Sequence, residues 1–182
     1  MGYVILGVII AILLAYVIVT YNSFAKLKIR VEEGFSTMDV YLKKRWDLIP
    51  NLVEVVKGYV KHEKELLTEI TKLRQESYET MSIEDKMNTN NELSSKLSRL
   101  FAIAESYPEL KASKNFITLS EELTKVEEDI ASARKYYNGT VRNLNEKVVT
   151  FPSGMIAKIF GFKKEKMFEA TETERTNVKI EW

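Results

Sequence analysis

The chain opens on an uninterrupted apolar run. Met1 to Ala25 carries no charged side chain, and Tyr3 to Val19 reads YVILGVIIAILLAYVIV. Extended through Thr20 and Tyr21, the run makes roughly 28 Å of helix at ~1.5 Å per residue. That matches a hydrocarbon core of roughly 30 Å. Tyr3 and Tyr21 stand at its two ends, where amphipathic rings suit the bilayer interfaces. A cleaved leader would need a basic start, a shorter apolar stretch and a small-x-small cleavage site. No Lys or Arg precedes this run and nothing like A-x-A follows it. The pattern therefore predicts a retained membrane anchor over residues 1–22.

Beyond residue 22 the apolar positions recur in steps of three and four, the helical period. One stripe is Phe24, Leu27, Val31, Phe35, Met38 and Leu42. A second is Val53, Val56, Val60, Leu67 and Ile70, and a third Leu93, Leu97, Leu100 and Ala104. The longest runs Phe116, Leu119, Leu123, Val126, Ile130, Ala133, Tyr137, Val141, Leu144, Val148, Phe151. Its spacing is a heptad seam with one doubled four-step near Tyr137, a stutter that relaxes supercoiling. No stretch alternates with period two. The prediction is an all-α protein: a transmembrane helix, then an antiparallel up-and-down four-helix bundle over 23–168 and a polar tail over 169–182. Thr171 to Trp182 reads as poorly ordered.

The punctuation agrees. Ser82 precedes Ile83-Glu84-Asp85 as an N-cap with an acid three residues on. Pro108 closes the third helix, Ser113 caps the fourth, and Phe151-Pro152 ends it. Asn138-Gly139 lies inside the long stripe and reads as weakened helix. Pro50 leaves two readings open. The apolar phase passes through it from Leu42 to Trp46, Ile49 and Val53, which suits one kinked helix. Alternatively Asp47 caps a new helix whose first turn tolerates Pro50. Helix lengths favour the turn, because it yields four elements of comparable length. With a single kinked helix the number of passes drops by one, and the segment after Phe151 points away from the bilayer.

Charge sets the orientation. The N-terminal flank of the span has no Lys or Arg, whereas Lys26, Lys28 and Arg30 follow it. The positive-inside rule then puts the N-terminus outside and the bundle in the cytoplasm. The formal net charge of +1 offers no global basic field for nucleic acid. With 0 Cys and 1 His, thiolate and imidazole metal centres are excluded, as is a di-iron bundle. His62 reads as a solvated helix residue. Nucleotide-binding glycine motifs and a nucleophile elbow are missing from the sequence. Glu121-Glu122 and Glu127-Glu128 are adjacent, so the members of each pair do not share a helix face. The expectation is a protein that is not an enzyme and holds no cofactor.

Residues 151–168 read FPSGMIAKIFGFKKEKMF. Lys158, Lys163, Lys164 and Lys166 are mixed with bulky apolar residues, a composition suited to a membrane surface. In the four-helix reading the segment returns to the membrane-proximal end. Its lysines can then meet anionic headgroups at roughly 1 kcal/mol each, or its rings can plug the end of the bundle. Arg45, Asp47, Asn51, Arg134, Asn138 and Asn145 are polar residues beside apolar stripes, read as interhelical hydrogen-bonding groups that fix register. Gly34 and Gly58 each cost roughly 1 kcal/mol within a helix, which close helix approach would explain.

The segment Lys44-Arg45-Trp46-Asp47-Leu48-Ile49-Pro50-Asn51-Leu52-Val53-Glu54-Val55-Val56-Lys57-Gly58-Tyr59 resembles the signature of the LemA family. Tyr21-Asn22, Tyr107-Pro108-Glu109-Leu110-Lys111-Ala112, Ala133-Arg134-Lys135-Tyr136-Tyr137-Asn138, Phe151-Pro152-Ser153, Ile159-Phe160-Gly161-Phe162 and Phe168-Glu169-Ala170 extend the likeness in order along the chain. Lys44 stands where many members have Arg, and Glu128 where Asn or Asp is common. The resemblance implies a single-pass bacterial membrane protein with a four-helix bundle, and no catalytic residues. It implies structural roles for Arg45, Asp47, Pro50, Asn51, Gly58, Arg134 and Asn138. Two functions are expected to compete: a scaffold for envelope proteins, membrane proteases being one partner class, or a self-associating protein that contacts lipid and organises the bilayer.

Overall fold

A computed structural model describes residues 1–60, 62–75 and 77–169. The predicted tail therefore lies outside the described residues, Glu169 excepted. Among the described residues all regular structure is helical. The elements are α1 (Gly2–Lys57), α2 (Lys64–Lys72), a 3₁₀ turn (Tyr78–Thr80), α3 (Ile83–Ala104), α4 (Pro108–Lys111), α5 (Lys114–Val149) and α6 (Ser153–Phe160). They form two compact units. The first comprises Met1–Met38 with Ala133–Met167, the second Asp39–Ser132 with Phe168 and Glu169. Both α1 and α5 contribute to each.

The expected turn at Pro50 does not form; the proline lies inside the 56 residues of α1. Proline removes the N–H that Trp46 would otherwise bind and crowds the preceding turn, at a cost of about 3 kcal/mol. Here the stripe outweighs that cost, because Leu42, Trp46, Ile49, Leu52, Val53 and Val56 are all buried on the two sides of it. The reversal comes between the end of α1 at Lys57 and the start of α2 at Lys64 instead. Gly58 lies just past the helix rather than within it, and its N–H donates to the Val55 carbonyl. The returning helix is short: α2 has 9 residues.

The second unit keeps the up-and-down order. Along the return, Arg74 stacks over Trp46 and the Tyr78 hydroxyl reaches Asp39, so the partners on α1 run backwards. Lys86 and then Arg45's partners Asn90 and Ser94 run forwards along α3. Ser94 meets Glu127 and Phe101 meets Phe116, so α5 returns. Ser82 caps α3 as predicted, its Oγ accepting the Asp85 N–H at 3.1 Å. Helix α5 runs through Asn138-Gly139 without a break, and most of its predicted stripe is buried; Leu119 and Val148 are half-buried and Phe151 is exposed.

In the first unit α5 packs antiparallel on α1. Phe35 meets Tyr137 edge-on and Ser23 meets Lys147. Gly34 allows the approach, since a Cβ there would lie 3.4 Å from the Tyr137 Cα and 3.4 Å from the Thr140 Oγ1. Substitution Gly34→Leu should lower unfolding stability by about 1–3 kcal/mol through overpacking. Gly34→Ala should stay within about 1 kcal/mol of the parent, because its helix propensity gain offsets the tight contact. Thermal denaturation of both variants checks the pair of outcomes.

Candidate functional site

The predicted membrane segment folds into two parts. Residues 153–160 form α6, with Ile156 and Ala157 buried beneath it. Gly161 ends the helix at φ 75°, a left-handed conformation that glycine adopts without steric cost. The Phe162 N–H then closes back on the Ala157 carbonyl at 2.9 Å, a Schellman cap. From there the chain runs out of helix. Phe162 stacks on Phe24 at 4.8 Å between ring centroids and lies 5.6 Å from Tyr21. Phe160 meets Tyr21 edge-on at 5.1 Å.

Main-chain contacts hold the rest of this strap. The Asn145 amide donates to the Glu165 carbonyl at 2.9 Å and its Oδ1 accepts the Glu165 N–H at 2.8 Å. The Tyr137 hydroxyl donates to the Lys166 carbonyl at 2.9 Å. Because the bonds are to backbone, the side chains of residues 163–167 stay exposed.

This arrangement locates the site. Tyr21 marks the end of the apolar run, and α6 with its strap is fastened to that point. An 18-residue window of α1 has mean hydropathy 2.8 and none of it is buried within the molecule. Tyr3 and Val19 are both exposed. Such a surface is compatible with a membrane anchor. Beside it α6 and the turn before it leave a second apolar surface outward: Phe151, in the turn, is 80% exposed, and on α6 Met155 is 59% and Ile159 71% exposed. These three recur at steps of four. Lys158 on α6 is exposed, as are Lys163, Lys164 and Lys166 along the strap and Lys26, Lys28 and Arg30 on α1.

The other singled-out residues belong to the helical core. Arg45 is buried to 1% exposure. Its guanidinium donates to the Ser94 hydroxyl at 2.7 Å, to the Asn90 carbonyl at 2.7 Å, and to the side chains of Asn90 and Glu127. Asp47 is exposed and pairs with Lys43 at 2.7 Å. Asn51 is exposed on α1, and Arg134 and Asn138 are half-buried on α5. His62 is exposed. Among the described residues no three His, Asp or Glu side chains converge to hold a metal ion.

Sequence reasoning missed Arg45's partners. Asn90 was legible in principle: counting back three from Leu93 along its stripe lands on it, a polar residue at a core position. Glu127 flanks the seam beside Val126 and gives no such signal. A second network also went unseen. Tyr78 donates to Asp39 at 2.6 Å, and Lys86 binds the same carboxylate at 2.9 Å while lying 4.4 Å above the Tyr78 ring.

Two tests follow from these networks. Arg45→Met strands the buried Asn90 side chain and should cost about 3 kcal/mol. Glu127→Gln, at a half-exposed position, should cost about 1 kcal/mol or less. Urea denaturation compares the two. Burial, then the hydrogen bond and charge of Asp39, raise the Tyr78 pKa above the usual phenol range. Burial and Glu165 raise that of Tyr137. In the unfolded chain both phenols ionise near pH ~10, whereas folding holds them neutral. Their stabilisation is therefore complete below pH ~10 and is lost as pH rises beyond it. The melting temperature should fall more steeply across that range in the parent than in Tyr78→Phe.

Comparison with known proteins agrees with the motifs. The chain is 26% identical over 161 residues to Protein LemA of Metamycoplasma hominis, covering 86% of this chain and 72% of that one. It is 24% identical over 174 residues to magnetosome protein MamQ of Magnetospirillum gryphiswaldense, covering 81% of this chain and 64% of the relative. MamQ 2 of Paramagnetospirillum magneticum is 21% identical over 182 residues, at 86% and 67% coverage. Residues 34–182 match the LemA family, and the chain belongs to that family.

Proposed function

We propose that this protein is a membrane-anchored interaction module that grips the bilayer with two elements and performs no catalysis of its own. Helix α1 crosses the membrane once, with the N-terminus outside and the helical units in the cytoplasm of a bacterial cell. Helix α6 lies in the headgroup layer on the cytoplasmic side. The observation that carries this reading is the clamp of Phe160 and Phe162 on Tyr21. It fixes the outward apolar residues of α6 at the level where the apolar run of α1 ends.

The energetics favour surface burial. An apolar side chain moved fully out of water contributes about 1.5–3 kcal/mol. Phe151, Met155 and Ile159 gain part of that by entering the acyl boundary, and each nearby lysine adds about 1 kcal/mol on an anionic leaflet. Two points of attachment hold the helices in a fixed posture on the membrane instead of letting them swivel on a single tether. A fixed posture suits a scaffold. Its partners are then envelope proteins in the same membrane, membrane proteases among them, or further copies of this chain.

The absence of cysteine from the sequence makes a direct test simple. Met155→Cys carries an environment-sensitive fluorophore in the full chain, reconstituted into bilayers. The label should emit in the blue and be quenched by nitroxide lipids bearing the spin label near the headgroup. Changing Lys158, Lys163, Lys164 and Lys166 to Gln should weaken the quenching on anionic lipid. Emission typical of water, with no lipid quenching, would contradict the reading.

A further inference from the structure

Lys147 is out of keeping with the other sheltered cations. Among the described residues four lysines are half-buried: Lys43, Lys86, Lys96 and Lys147. Lys43 pairs with Asp47, Lys86 with Asp39 and Lys96 with Glu69. Lys147 has no carboxylate within ion-pairing distance among the described residues. Its ammonium instead donates to the Ser23 hydroxyl and lies 5.3 Å from the centre of the Phe24 ring. An ammonium has three N–H donors, so donors remain after Ser23 is served. A partly desolvated cation is costly unless an anion or further hydrogen bonds compensate it.

The depth of this group identifies the anion. Ser23 is two residues beyond Tyr21, where the apolar run ends. Two residues of helix advance about 3 Å. The headgroup layer is roughly 5–8 Å thick on each side of the hydrocarbon core. With α1 across the bilayer, Lys147 therefore sits among lipid phosphates. The surrounding chemistry suits a phosphate ester: one cation and one hydroxyl, both half-buried where α5 meets α1.

We propose that Lys147 and Ser23 form a binding site for the phosphate of one anionic phospholipid where α5 meets α1. The site rests on α1 entering the bilayer, and it is separate from the diffuse attraction of the exposed lysines. It gives the protein a stoichiometric lipid and ties the α1–α5 pairing to the membrane's composition.

Native mass spectrometry of the full chain, released from micelles holding phosphatidylglycerol and phosphatidylcholine, tests it. The parent should keep a distinct first phosphatidylglycerol at high salt. Lys147→Met should weaken that first step about fivefold or more, the loss expected for one interfacial lysine contact. Lys147→Arg should restore it. Replacing Lys163, Lys164 and Lys166 with Gln should leave it in place. Helical content measured on each variant separates lost binding from lost folding. Equal retention of lipid by Lys147→Met, or equal retention of phosphatidylcholine by the parent, overturns the proposal. So does displacement of the lipid by an equal concentration of inorganic phosphate, which would assign the site to a soluble anion. A wet fluorophore at position 155 with an intact Lys147-dependent lipid step would sink the surface role of α6 and leave this site standing.

Discussion

The candidate site depends on how closely α5 approaches α1 beside Gly34. With no Cβ at that position, the Tyr137 backbone and the Thr140 hydroxyl can lie against α1 at van der Waals distance. Everything along the first unit follows from that spacing. Tyr137 is placed to hold the Lys166 carbonyl, and Asn145 to hold both polar groups of Glu165. Nearly three turns beyond Tyr137, Lys147 arrives over Phe24, and the chain reverses into α6 beside Tyr21. A wider spacing would loosen each of these contacts together, because all of them sit on the same two rods.

The second unit solves a different problem, that of register. Apolar stripes bring helices together but slide easily by a turn, since one heptad resembles the next. Arg45 removes that freedom. Its fork is matched at once by α3 and by α5, and a shift of either helix would leave a buried guanidinium without its acceptors. The Tyr78–Asp39–Lys86 group does the same for the link between α2 and α3. Buried polar groups here cost stability when mismatched, so they select one alignment among several that the stripes allow.

How far the sequence reveals this depends on the kind of interaction. The long stripe from Phe116 predicts α5 because burial follows the helical period, and Ser82 predicts the start of α3 because capping is local. Pro50 misleads because its penalty is local while the burial that offsets it, on Trp46, Ile49 and Val53, is tertiary. Gly58 then takes the role given to Pro50, at the end of the helix. Phe160 and Phe162 come beside Tyr21 at the end of the span, since the lost turn is replaced by another and the number of passes stays even, whereas the chain after Phe162 runs back along α5 to Tyr137. The strap itself leaves almost no trace in the sequence. Asn145 and Tyr137 recognise backbone, which every residue carries, so no pattern in residues 163–166 announces the contact. Lys147 is likewise one lysine among many until the described residues around it are known to place no carboxylate within ion-pairing distance.

The central claim is that two separate stretches of this chain, α1 and α6, enter the same membrane. Photoreactive phospholipids carrying a diazirine on the acyl chain, incorporated into native membranes and followed by peptide mapping, test it most directly. The account predicts lipid adducts along residues 3–21 and a second cluster at Phe151, Met155 and Ile159, with none on the exposed residues of α3. Adducts confined to residues 3–21 would contradict it, leaving a protein held by one tether with α6 in water.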